Sequence, residues 1–237
     1  MLLQTARDAA LIAGRLLLSH TSNVVLGETS HDTKLDADIA AEKAIIRHLE
    51  ENSNFPVLSE EAGLSDTRKG PRWIVDPLDG TVNFSRSIPL CCVSIALWDN
   101  GPLLGVIYDF TRGELFSGEV DKGAWLNNKP IHVSDVKEAS SGIIFTGIPV
   151  ASDFGRPAIE SLGLLVQNFK KVRLLGTAAL SLAYVACGRG DAYMESKIRI
   201  WDVAAGAAIV QAAGGNFQMI GTDPVDLYAS NGKISMV

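Results

Sequence analysis

Apolar residues are patterned differently in the two halves of the chain. In the first twenty residues they recur at helical spacing, which predicts an amphipathic helix. A second helix is expected over 37–51, and short apolar runs predict strands at 55–61, 72–76 and 91–109, the last divided by an Asn-Gly-Pro turn. Further along, strands are expected over 141–149, 171–175 and 191–196, and helices over 156–169, 177–188 and 202–215.

This order of elements predicts an α+β protein built from packed layers that share a cleft. The polar stretch 134–142 separates the strand-rich part from the part in which strands and helices alternate. We therefore expect two subdomains, one over residues 1–136 and one over residues 137–237.

Composition and charge narrow the class of partner. The chain has 237 residues, 47% of them hydrophobic, and a formal net charge of −6, which argues against nucleic acid or an anionic membrane as the main partner. Its three cysteines form no disulfide pattern, and this favours a cytoplasmic protein. Charged residues interrupt the first apolar run, so we expect neither a signal peptide nor a membrane span.

Acidic residues follow three separate apolar runs. Glu60 and Glu61 come after one predicted strand, Asp76 and Asp79 after a second, and Asp202 lies where the last long helix begins. Each has an ordinary structural explanation, as a helix N-terminus, a proline turn or an N-cap. Together they match the need of a hard divalent cation for several oxygen ligands from different segments.

The segment Asp76–Thr81 adds further features of a metal and phosphate site. The carbonyl of Leu78 lies between the two aspartates, and Pro77 should stiffen the expected turn. Gly80 and Thr81 are expected to begin a short helical turn, where their backbone amides would be offered to a phosphate. No histidine or cysteine is near this segment in the sequence, which favours Mg²⁺ over zinc.

Two segments resemble the signatures of the inositol monophosphatase family: "WIVDPLDGTVNF" at 73–84 and "WDVAAGAAIVQAAGG" at 201–215. The resemblance continues in "LSEE" at 58–61, "DADIAAEKAI" at 36–45 and the segment 173–195. It implies a layered αβαβα sandwich and a lithium-sensitive phosphatase that uses two or three Mg²⁺ ions to activate water. It also implies a homodimer that acts on a small phosphorylated metabolite.

The resemblance also implies roles for individual residues. The ions would be held by Glu60, Asp76, the Leu78 carbonyl, Asp79 and Asp202. Thr81, Asp38 and Glu60 would be the catalytic residues, and Thr81 and Asp38 would activate the water. Asp36 is an alternative to Asp38. The amides of Gly80 and Thr81 would hold the phosphate, and Glu195 would contact substrate hydroxyls. The loop 27–35, where relatives place an active-site lysine, matches poorly at Lys34, and the chain ends earlier than expected for the family.

Because of Lys197 and Arg199, the sequence is compatible with more than one class of substrate. If residues 195–199 are extended, both would share a face with Glu195, either as a solvated strand edge or as a cationic patch for a second anionic group. A patch would favour fructose 1,6-bisphosphate, adenosine 3′,5′-bisphosphate or histidinol phosphate. Glu195 favours inositol monophosphate or another polyol phosphate. A metal- or phosphate-binding protein without catalysis is the alternative from a different class.

Overall fold

The structure is a computed structural model that describes residues 1–19, 25–28, 33–66, 69–148 and 155–234. Residues 29–32 of the loop 27–35 and the side chain of Lys34 lie outside the described part. The helices are α1 (Leu2–Ser19), α2 (Asp36–Asn52), α3 (Thr81–Ser85), α4 (Arg156–Asn168), α5 (Ala178–Ala186) and α6 (Ile200–Ala212), with a 3₁₀ turn at Ala139–Ser141.

The strands form three sheets. They are β1 (Val25–Glu28), β2 (Thr33–Leu35), β3 (Val57–Ser59), β4 (Gly63–Leu64), β5 (Arg72–Asp79), β6 (Cys92–Trp98), β7 (Pro102–Asp109), β8 (Glu114–Glu119), β9 (Gly123–Leu126), β10 (Lys129–Ile131), β11 (Ile143–Thr146), β12 (Lys171–Arg173), β13 (Ala192–Ile198), β14 (Asn216–Gly221) and β15 (Val225–Ser230). An eight-stranded sheet has the order β10-β9-β8-β7-β6-β5-β3-β4, a five-stranded sheet has β12-β11-β13-β15-β14, and β1 pairs with β2.

Helices and sheets stack in five layers. Helices α1 and α2 cover one face of the eight-stranded sheet, and α5 and α6 fill the space between this sheet and the five-stranded one. Helix α4 contacts β12 on the far side. The αβαβα sandwich expected from the family resemblance is therefore confirmed, whereas the subdomain boundary near residue 136 stays a prediction.

Helix α6 lies unusually close to the eight-stranded sheet because glycines face it. A Cβ on Gly105 of β7 would lie 2.2 Å from the carbonyl oxygen of Ala205, and one on Gly118 of β8 would lie 2.9 Å from Ile209. The helix is buried on almost every side, as its alanine-rich sequence allows. This close packing fixes the first turn of α6, which carries Asp202.

Most predicted elements are present, two local expectations are wrong, and one pair of strands was missed. Strand β5 does not end at Asp76 in a turn but continues through Pro77 to Asp79, with an irregular register between the two aspartates. Asp202 is not the N-cap of α6, because Arg199 holds that position and Asp202 lies within the first turn. The hairpin β14–β15 was not predicted.

Within the described residues, no helix combines the length and the apolar character needed to cross a membrane.

Candidate active site

The end of β5 places two aspartates in the interior. Asp76 and Asp79 are 2% and 8% exposed. Between them the strand bulges, and Oδ1 of Asp76 accepts a 2.9 Å hydrogen bond from the amide of Leu78. Pro77 donates no backbone hydrogen bond, so it is tolerated at this irregularity. Because of the bulge, Asp76 and Asp79 lie on one strand, three positions apart, and both are buried.

Asp79 is held by the start of α5. Its Oδ2 accepts a 2.5 Å hydrogen bond from the hydroxyl of Thr177 and a 2.7 Å bond from the amide of Ala179. Thr177 is the N-cap of α5, and its hydroxyl oxygen also accepts from the amide of Leu180. The carboxylate therefore satisfies donors of a helix N-terminus, where negative charge is favourable.

Four acidic side chains from three segments act on one another here. Burial raises the pKa of Asp76 well above its ordinary range, and the charges of Glu60, Asp79 and Asp202 raise it further. Burial also raises the pKa of Asp202, with additional increases from Asp79, Glu60 and Glu195. The structure thus brings together the four carboxylates expected to hold ions. A divalent cation would offset the repulsion that raises these pKa values.

Hydrogen bonds to α5 moderate the effect at Asp79. Burial raises its pKa to about 6, while the donors from Thr177, Ala179 and Ala178 lower it. Among the described residues, no three acidic, thiol or imidazole groups form a ready-made coordination shell. What links the carboxylates of Glu60, Asp76, Asp79 and Asp202 is the effect of their charges on one another.

The donor set fits Mg²⁺, with one correction. Cys92 is closer than its position in the sequence suggested, since its Sγ lies 3.8 Å from Oδ2 of Asp79. Burial, together with the charges of Asp79 and Asp76, raises the pKa of this thiol well above its ordinary value. The other candidate ligands are carboxylate and carbonyl oxygens, which suit Mg²⁺.

The short helix α3 continues directly from the acidic strand end. Gly80 precedes it with a φ of 90°, and a Cβ at this position would lie 2.7 Å from the carbonyl oxygen of Leu90. Only glycine satisfies both conditions. The hydroxyl of Thr81 donates a 2.9 Å hydrogen bond to the carbonyl oxygen of Leu78, which links the predicted water-activating residue to a predicted metal ligand.

Asn83 ties α3 to the second half of the chain. Its side-chain amide donates 2.8 Å hydrogen bonds to the carbonyl oxygens of Leu90 and Leu175. The segment after Leu175 leads directly to Thr177, which binds Asp79. Hydrogen bonds therefore join this part of the first half to the start of α5 at two places. Asn83 binds Leu175, and Asp79 binds Thr177 and Ala179.

Asp38 lies in the first turn of α2 and is 4% exposed. Its Oδ2 accepts a 2.8 Å hydrogen bond from the amide of Leu35, so this carboxylate caps its own helix. Strand β2, which ends at Leu35, contacts α3. The fold therefore brings the elements carrying Asp38 and Thr81 together. Asp36 is half-buried in the same turn.

Glu195 is buried on β13 beside the acidic cluster. Its Oε2 accepts a 2.7 Å hydrogen bond from the hydroxyl of Tyr193, which is itself fully buried. Burial raises the pKa of Glu195 to about 7, against the lowering effect of Tyr193, and the charge of Asp79 adds to the increase. Gly147 makes room for this carboxylate, since a Cβ there would lie 2.2 Å from Oε2.

Lys197 and Arg199 do not share a face with Glu195. The register of β13 shifts between Glu195 and Ile198, and Lys197 has a φ of 59°. Strand alternation fails here because Glu195 is buried while Lys197 is exposed. Arg199 lies beyond the strand, 4.3 Å from the ring of Trp201 and 3.1 Å from a carboxylate oxygen of Asp223. The expected common face is therefore wrong.

Three residues of this region were missed as functional candidates: Thr177, Asn83 and Tyr193. A threonine directly before an apolar helix is an N-cap signal, so the place of Thr177 in the helix was available from the sequence. Its contact with Asp79 was not, because 98 positions separate the two residues. Tyr193 and Asn83 carry no comparable local signal.

Comparisons with known proteins agree with this architecture. The model of the inositol monophosphatase family matches residues 1–236. The chain is 37% identical to an inositol-1-monophosphatase of Synechocystis over 98% of this chain and 85% of the relative. It is 40% identical to the Nus factor SuhB of Xylella fastidiosa over 87% of this chain and 78% of that protein.

A solved structure of an inositol monophosphatase has the same fold. The inositol monophosphatase of an Anabaena (Nostoc) species superimposes with a TM-score of 0.85 at 35% identity, covering 98% of this chain and 91% of the other. The family resemblance of the two sequence signatures is confirmed. The chain belongs to the inositol monophosphatase family and is a phosphoric monoester hydrolase of that family.

Proposed function

We propose that the protein hydrolyses the phosphate monoester of a small polyol, with inositol monophosphate as the preferred substrate, in a reaction that requires Mg²⁺. The observation that carries the proposal is the burial of Asp76 and Asp79 at the end of β5, beside Glu60, whose amide binds the carbonyl oxygen of Val75. The charges of Glu60, Asp79 and Asp202 all raise the pKa of Asp76, which supports their grouping. Four oxygen-bearing side chains from three segments match the coordination that Mg²⁺ prefers.

The protein's own residues divide the work. Glu60, Asp76, Asp79, Asp202 and the carbonyl of Leu78 would hold two or three ions. When bound, these ions would lower the pKa of water and offset negative charge on the phosphate. Thr81 would orient the water through its hydroxyl, and Asp38 would accept the proton of that water as the general base. The amides of Gly80 and Thr81 would fix the phosphate.

The surroundings of Glu195 support a polyol as the leaving group. This carboxylate is buried, is oriented by Tyr193 and belongs to the same electrostatic cluster as Asp202. An oriented carboxylate recognises a hydroxyl by accepting its hydrogen bond. A second phosphate would need a cation, but Lys197 is exposed at the register shift of β13, and Arg199 interacts with Asp223 and Trp201. The monophosphate is therefore favoured over the bisphosphates and histidinol phosphate.

The test is a Mg²⁺-dependence assay over a panel of esters: inositol 1-phosphate, fructose 1,6-bisphosphate, adenosine 3′,5′-bisphosphate and histidinol phosphate. We expect turnover to be highest for inositol 1-phosphate, to vanish with chelator and to be inhibited by lithium. Asp79→Asn should abolish turnover while the protein stays folded, and Asp121→Asn, at an exposed turn, is the matched control. Chelator-resistant turnover, or an active Asp79→Asn variant, would contradict the proposal.

We also propose that the protein is a cytoplasmic homodimer. The three cysteines are free, which is usual for a reducing compartment. Helix α4 leaves Ile159 and Val166, seven residues apart on one face, 67% and 61% exposed. Burying such side chains against a second copy is favourable. Light scattering should give twice the mass of 25.3 kDa, and a monomer at micromolar concentration would contradict the dimer.

A further inference from the structure

A buried glutamate on α2 contacts the loop that carries Glu60. Glu42 is only 5% exposed. Its Oε1 accepts hydrogen bonds from the hydroxyl of Ser59 and from the amides of Glu61 and Ala62, the last two at 3.1 and 3.0 Å. Three donors from one loop thus converge on a single oxygen atom.

The three donors come from residues that flank Glu60 in the sequence. Ser59 precedes it and is fully buried, and Glu61 and Ala62 follow it. The amide of Glu60 itself donates a 3.3 Å hydrogen bond to the carbonyl oxygen of Val75, the residue before Asp76. The backbone at Glu60 is therefore fixed between α2 and β5, although its own side chain is exposed.

A buried carboxylate is costly unless donors satisfy it. A loop that needed only to turn could use the self-contained hydrogen bonds of common turns. Here the turn depends on a charged side chain from a different element, 17 to 20 positions earlier in the chain. That arrangement orders one loop. The residue at its centre is Glu60, whose charge raises the pKa of Asp76 and of Asp202.

We propose that Glu42 is a positioning residue that orders residues 59–62 so that Glu60 is presented to a divalent cation beside Asp76. This inference rests on the proposed metal site. Partners that orient a ligand carboxylate typically change metal affinity by about 10- to 100-fold when they are removed. Glu42 contacts neither ion nor substrate in this account, so its effect should appear in metal affinity before it appears in the chemical step.

The experiment measures Mn²⁺ binding to metal-free, folded protein by electron paramagnetic resonance, together with hydrogen exchange of the 59–64 segment in the same metal-free samples. Glu42→Ala should raise the Kd for Mn²⁺ about tenfold and speed exchange at the amides of Glu61 and Ala62. Glu42→Gln keeps a carbonyl acceptor and should retain most of the affinity. Leu49→Ala is the structural control, because it removes a fully buried side chain from the same helix but none of the three hydrogen bonds to the loop.

The outcomes separate three cases. Weak binding in Glu42→Ala with near-normal binding in Leu49→Ala supports the proposal. Equal binding in wild type and Glu42→Ala, or an equal loss in Leu49→Ala, overturns it. If Asp76→Asn also binds like wild type, the metal site itself is wrong and the positioning role falls with it. Should Glu42→Ala fail to fold, Ser59→Ala removes one donor and should raise the Kd about threefold; an unchanged Kd then overturns the proposal.

Discussion

The hydroxyl of Thr177 lies 2.5 Å from Oδ2 of Asp79 and donates a hydrogen bond to it. The two residues belong to different parts of the chain, since Asp79 ends β5 of the eight-stranded sheet and Thr177 caps α5 in the layer between the sheets. The proposed metal site therefore depends on how the second half of the chain packs against the first.

Removing the hydroxyl of Thr177 should weaken the proposed metal site. We expect Thr177→Val to raise the Kd for Mn²⁺ about tenfold, because a hydrogen bond to a charged group contributes about 1.5–3 kcal/mol and Asp79 would lose part of its orientation. Isothermal titration of metal-free protein measures this.

Thr177→Ser is the matched variant, since it keeps the hydroxyl that caps α5 and binds Asp79. It should bind Mn²⁺ within about twofold of wild type. A serine variant as weak as the valine variant would show that the methyl group, and not the hydrogen bond, matters at this position.

Glu195 should make stability depend on pH. Its pKa is about 7 in the fold against an ordinary value of 4.5, so the folded protein keeps a proton that the unfolded chain releases. The free energy of unfolding contributed by this group is therefore complete below pH 4.5 and falls as pH rises toward 7. Between pH 5 and pH 8 the loss should be about 2–3 kcal/mol, measured by urea denaturation in chelator.

Glu195→Gln cannot titrate, so it should remove this part of the pH dependence. The comparison is the difference in unfolding free energy between pH 5 and pH 8 for wild type and variant. Asp76, Asp79 and Asp202 contribute with the same sign in both proteins, so the difference between the two proteins reports on Glu195 together with its effect on Asp202. Identical pH profiles would contradict the raised pKa.

Gly105 should be required for the close approach of α6. Gly105→Ala places a Cβ 2.2 Å from the carbonyl oxygen of Ala205, and overpacking of this kind costs about 1–3 kcal/mol. Gly101→Ala is the control, because a Cβ there meets nothing within 4 Å; it should change stability by less than about 0.5 kcal/mol. Thermal denaturation of both variants measures the contrast.

Substrate preference should depend on Glu195 and not on Lys197. Glu195→Ala should lower kcat/KM for inositol 1-phosphate by about tenfold or more, since it removes a charged acceptor. Lys197→Ala should change it by less than about twofold, because this side chain is exposed beyond the register shift of β13. A selective loss of bisphosphate turnover in Lys197→Ala would instead restore the cationic patch.

The sequence predicted features that have strong local signals. Helix α1 follows from regular apolar spacing, and the pair β6–β7 follows from two apolar runs around an Asn-Gly turn. Gly80 and Thr81 were expected to begin a short helical turn, and they precede and open α3. The grouping of acidic residues was suggested by their positions after several apolar runs, and their role as metal ligands stays a prediction.

Other features depend on contacts that local patterns do not encode. The register shift at Lys197 arises from pairing with β15, about thirty positions later. The proximity of Cys92 to Asp79 follows from the pairing of β6 with β5. The role we propose for Glu42 depends on the packing of α2 against β5. In the sequence it is simply an acidic residue on an amphipathic helix.

The most direct test of the central claim is a crystal structure of the protein soaked with Mn²⁺, recorded with anomalous scattering at the manganese edge. The account predicts anomalous peaks among the carboxylates of Glu60, Asp76, Asp79 and Asp202, at about 2.0–2.3 Å from their oxygen atoms. Peaks found only elsewhere would contradict it. The absence of any peak, for a protein that binds Mn²⁺ in solution, would also contradict it.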